Sequence, residues 1–71
     1  MAKYCQEKFV NQENGNELIV CWRQDKHVHD ASLITTIEQW LQNNHGSNWE
    51  VRANSYQSNL QSCSLKAVEY S

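Results

Sequence analysis

The sequence predicts an α+β fold, a small two-layer ββαββ unit in which one helix packs on an antiparallel sheet. Three observations predict it: an apolar stripe at helical spacing, an Asn-Gly pair between two strand-like runs, and alternating apolar and polar residues beyond the helix. At 71 residues the chain is expected to form a single domain over 1–71. A chain this short buries only roughly 60% of its extended surface, so its stability margin is thin.

The first strands flank Asn14-Gly15. Asn-Gly favours a two-residue hairpin turn because both central residues need positive φ. Such a turn sets Phe9 opposite Val20 and Lys8 opposite Cys21, which sorts the hairpin into two faces. One carries Cys5, Phe9, Leu18, Val20 and Trp22, interrupted by Glu7. The other carries Tyr4, Val10, Ile19 and Cys21, interrupted by Gln6 and Lys8.

The helix is expected over about 32–44. Leu33, Ile34, Ile37, Trp40 and Leu41 fall within about 120° of its circumference at 100° per residue, a stripe wide enough to face a core. Asp30 or Ser32 is placed to cap its first free N–H groups, and Gly46 to end it. Beyond Gly46, Asn48–Ala53 alternates as a third strand and Ser62–Tyr70 is expected to form a fourth. The polar stretch between them, Asn54–Ser62, reads as a loop with frayed strand ends.

Composition excludes more functions than it names. Six basic and eight acidic residues leave a net charge of −2, clustered in neither half, so the chain has neither the basic face of a phosphate binder nor a strong acidic field. No apolar run reaches the roughly 20 residues that cross a bilayer, and no signal-peptide pattern follows Met1, so a cytoplasmic location with no membrane association is expected. Cys5, Cys21 and Cys63 are odd in number and widely spaced, which predicts half-buried thiols in strands rather than a disulfide framework or a metal knuckle. Glycine-rich phosphate loops, HExxH, GxSxG and paired-carboxylate signatures are all lacking, so the protein is expected to be non-enzymatic and to need no cofactor.

The leading expectation is a protein-protein interaction module that acts by covering a surface, as an inhibitor or accessory factor. A phage- or mobile-element-encoded inhibitor is one version, and the partner is another protein or a second copy in a homodimer. One helix covers one sheet face, which leaves Tyr4, Val10, Ile19 and Cys21 on the other, and contiguous exposed apolar surface marks interfaces. Gln39 and Asn43 lie on the helix's neutral outer face, which docks without burying charge. The alternative is a single-stranded nucleic-acid binder, because tryptophans beside cations stack bases; Trp22, Arg23, Lys26 and Arg52 would carry it. The second alternative is a metal site at His27 and His29, two residues apart and so on one side of an extended segment.

Overall fold

The computed structural model describes residues 3–71. Five strands and one helix run in the order β1 (Tyr4–Asn11), β2 (Glu17–Arg23), α1 (Ala31–His45), β3 (Trp49–Val51), β4 (Gln57–Leu60) and β5 (Val68–Glu69). The sheet order is β3-β1-β2-β5, with β4 also on β1. The result is the α+β architecture the sequence predicts, a helix against one face of a mostly antiparallel sheet.

The hairpin register differs from the expected one by two residues, with Phe9 opposite Leu18 and Lys8 opposite Ile19. The cause is Asn11, which is only 4% exposed. Its side-chain oxygen accepts from the Glu13 N–H at 2.8 Å, and its amide nitrogen donates to the Ser47 carbonyl at 3.0 Å. This local bonding opens the connection into the longer loop Gln12–Gly15, closed by the Asn11 N–H on the Asn16 carbonyl at 2.7 Å. Gly15 still supplies the positive φ, at 76°. Because side chains alternate with a period of two, the shift leaves every residue on its predicted face.

Asp30 caps the helix by accepting from the Leu33 N–H at 2.8 Å. Leu33, Ile37 and Leu41 are buried against Cys5, Phe9, Val20, Trp22 and Trp49, while Ile34, Trp40, Val51, Val68 and Tyr70 pack around them. Two side chains tie the helix to β3: the Trp49 indole donates to the His45 carbonyl at 3.1 Å, and Glu38 accepts the Val51 N–H at 3.0 Å.

The last third departs furthest from expectation. The stretch predicted as a loop contains β4, and the predicted fourth strand shrinks to β5, which runs parallel to β2. β3 and β4 share one edge of β1, pairing with Phe9–Asn11 and with Tyr4–Gln6 respectively, so 52–56 is a wide bulge between them. Ser55 fills the gap, its hydroxyl accepting from the Lys8 N–H at 3.1 Å. Asn54, in the turn between β3 and β4, takes a positive φ, as do Asn48 before β3 and Asn59 within β4.

The cysteine expectation is corrected. Cys21 and Cys63 form a disulfide across 42 residues of sequence, and Cys5 alone is a free thiol. Two cysteines this far apart meet only because the segment from β4, on β1, to β5, on β2, brings Cys63 onto Cys21, which their spacing does not reveal.

Candidate interaction surface

The sheet has an inner face under the helix and an outer face away from it. Tyr4, Val10 and Ile19 lie half-buried on the outer face. Cys21, expected beside them, is fully buried under its bond to Cys63 and is withdrawn from the accessible surface. The segment 61–67 roofs this part of the sheet.

That roof carries a prominent apolar side chain. The Ala67 N–H donates to the Ser64 carbonyl at 3.0 Å, and the Ser64 hydroxyl accepts from the Lys66 N–H at 3.4 Å. Ser64-Leu65-Lys66-Ala67 is therefore a hydrogen-bonded turn with Leu65 at a central position. It is braced on both sides, by the disulfide at Cys63 and by the pairing of Val68 and Glu69 with β2. Leu65 is completely exposed, at 104% of the reference area, against 77% for Val28 in the loop before α1. Beside the turn lies a hollow of about 310 Å³ lined by Lys8, Glu17, Leu18, Ile19 and Lys66. Glu17 pairs with Lys8 at 3.7 Å and with Arg52, whereas Lys66 has no ion-pair partner among the described residues.

The outer surface of the helix adds a second neutral patch. Gln39 and Asn43 are exposed one turn apart, and Glu38, the helix's one carboxylate, is engaged with the β3 backbone.

The inner face holds a different cluster beside the start of the helix. Glu7 is 7% exposed, and its carboxylate meets the His29 Nε2 at 3.0 Å. The His29 ring stacks on Tyr56, with centroids 3.6 Å apart, and both lie parallel to the buried Trp22. The Cys5 thiol contacts the Tyr56 hydroxyl at 3.3 Å and the Gln24 side-chain Oε1 at 3.4 Å. A nucleophilic cysteine needs a base that draws off its proton. Cys5 has instead a phenol and an amide as its hydrogen-bond partners, and Glu7 and His29 hold each other.

The Tyr56 hydroxyl is pushed up to about 12, chiefly by burial and then by its hydrogen bond with Cys5, although part of its ring reaches solvent. The unfolded chain ionises near the ordinary value of 10, so the folded protein holds this proton more tightly. The stability so contributed is complete below about pH 10 and is lost as pH rises towards about 12. Ultraviolet titration is expected to show one tyrosine ionising later than the others, and Tyr56→Phe should remove that late step.

The residues of the two alternatives are dispersed. Trp22 is fully buried, so its ring is not offered to a base. Arg23 is held by Asp25 through two hydrogen bonds, which lower the Asp25 carboxyl below its usual value, and Arg52 is paired with Glu17. Lys26 is exposed and forms no ion pair among the described residues. His29 turns to Glu7 while His27 packs against Tyr70, with ring centroids 5.1 Å apart. Among the described residues no three His, Cys, Asp or Glu side chains gather as a metal site.

Alternation along the strands places Tyr4, Val10 and Ile19 on the outer face but does not single out Leu65 and Lys66. Their signal was faint: Leu65 sits between Ser64 and Lys66 in a segment read as a strand, and only the turn lifts it clear of the sheet. No helix of the described residues is long and apolar enough to cross a membrane. Comparison of the chain with protein families, curated proteins and solved structures finds no match.

Proposed function

We propose that this chain is a non-catalytic protein-binding module that acts through the outer side of its sheet, with Leu65 as the anchor. The observation that carries the reading is a fully exposed leucine on a turn braced at both ends. A single surface leucine is ordinary by itself. A leucine whose backbone is already ordered loses little further freedom on docking, which lowers the entropic cost of binding. The hollow beside it, with Ile19 in its lining, receives a side chain from the partner, and Lys66 fits a carboxylate at the rim. The partner is another protein with an apolar pocket for Leu65, and an inhibitor or accessory factor works in this way by occupying a surface.

The reading is tested by recovering partners from the source cell with the tagged protein and with Leu65→Asp. A charge in a desolvated anchor pocket is expected to weaken binding by about 2 kcal/mol or more, roughly thirtyfold. The fold should be untouched, because Leu65 contributes nothing to the core. Equal recovery by both proteins would refute Leu65 as the anchor. Gln39→Asp and Asn43→Asp report on the helix face in the same assay, and light scattering reports on self-association as the homodimeric form of the reading.

A further inference from the structure

We infer that the Cys21–Cys63 disulfide is a reducible clasp that switches the Leu65 turn between a fixed and a loose state while the rest of the fold stays intact. The inference rests on the proposed binding surface and concerns its control.

The clasp lies outside the core. The apolar cluster is built on the inner face of the sheet and includes Val68 and Tyr70, but no residue of 61–67. Apart from the disulfide, the segment's one hydrogen bond to the sheet among the described residues is from the Ser64 N–H to the Gln6 side chain, at 3.4 Å. Its two flanks have independent anchors. Before it, β4 pairs with β1, and the Gln24 side chain bonds Asn59 twice, at 2.8 and 3.0 Å. After it, β5 pairs with β2, the Tyr70 N–H donates to the Cys21 carbonyl at 2.7 Å, and the Tyr70 ring packs on Trp40 and His27. Opening the bond therefore loosens the stretch between the anchors and leaves both anchors in place.

The two sulfurs are not equivalent. Cys21 is fully buried, whereas Cys63 is half-exposed, so a reductant reaches the clasp at Cys63. One thiolate of a dithiol reductant attacks the Cys63 sulfur. The S–S bond breaks, and the electron pair leaves on the Cys21 sulfur, which takes up a proton. The second thiol of the reductant then displaces Cys63 as a thiol and closes the reductant's own disulfide, so the protein gains two thiols as the dithiol is oxidised. Cys5 takes no part, because it is 1% exposed on the opposite face of the sheet and bonded to Tyr56 and Gln24. Re-oxidation therefore restores a single pairing. In a reducing cytosol, where protein disulfides are transient and serve as sensors, the clasp stands open until an oxidant closes it.

The test uses the full chain in three forms, oxidised, reduced with dithiothreitol, and Cys63→Ser, each probed by trypsin cleavage after Lys66 and by amide exchange. Reduction and Cys63→Ser are both expected to speed cleavage after Lys66 by roughly tenfold or more, the mark of local opening. Amides of Ile37 and Leu41 in the helix should keep their protection, and re-oxidation should restore resistance in the reduced wild type. Unchanged cleavage would overturn the clasp, as would loss of helix protection together with the turn, since the bond would then hold the whole fold. If the turn switches but Leu65→Asp binds as the wild type does, the clasp stands and the binding surface falls. If Leu65→Asp abolishes binding while cleavage ignores reduction, the reverse holds.

Discussion

Trp22→Ala is expected to remove most of the protein's stability at room temperature. Truncating a fully buried tryptophan costs about 3–5 kcal/mol, through lost transfer energy and the cavity left behind. Small proteins hold about 5 kcal/mol in total, so little would remain. Trp22 has no exposed surface, and it joins the helix-covered core to the stacked His29 and Tyr56 rings. Its indole N–H is buried without a hydrogen-bond partner. Trp22→Phe therefore loses ring volume but also removes a buried, unpaired donor worth about 1–3 kcal/mol in desolvation. Urea denaturation followed by circular dichroism should rank wild type, Trp22→Phe and Trp22→Ala in falling stability. A Trp22→Ala midpoint near that of wild type would contradict this account of the core.

The second large effect lies in the Glu7 and His29 pair, where the two partners are expected to respond unequally. His29→Ala leaves the Glu7 carboxylate buried without its donor. Removing one partner of a buried pair costs about 3–5 kcal/mol, and the partial exposure of His29 brings this to about 2–3 kcal/mol because water can enter. Glu7→Leu removes the carboxylate together with its need for a partner and places an apolar side chain beside Cys5 and Trp22, so its cost should be near zero. In the double variant most of the His29→Ala loss should disappear. Three denaturation curves decide the matter, and equal losses from the two single variants would show that the pair is not buried in the sense argued.

The helix and the two faces of the hairpin were legible because periodicity is a local property that tertiary context did not override. The stripe at Leu33, Ile37 and Leu41 and the capping residue Asp30 both lie where the pattern puts them. The hairpin register was not legible, because Asn11 bonds to its own loop and to Ser47, a contact made across the fold. β4 escaped notice because Gln57-Ser58-Asn59-Leu60 has no apolar alternation and needs none at an exposed edge.

The site follows the same division. Ile19 was placed correctly by alternation, and Glu7 stood out as a carboxylate on an apolar face. Its partner His29 lies 22 residues away, and its spacing from His27 suggests a metal ligand instead. Leu65 was masked because alternation assigned it to a strand, whereas the Ser64–Ala67 turn and the disulfide decide its exposure. Lys66 and Tyr56 likewise acquire meaning only from chain segments that fold back onto the sheet.

The central claim is that the outer side of the sheet, at Leu65, is where this protein meets its partner. The most direct measurement places a photo-crosslinking residue at position 65 in one variant and at position 39 in another, and compares the adducts formed in the source cell. The account predicts a discrete protein adduct from position 65 that disappears when Ile19 is changed to Asp, and none from position 39. An adduct from position 39 alone would move the interface to the helix and contradict the account.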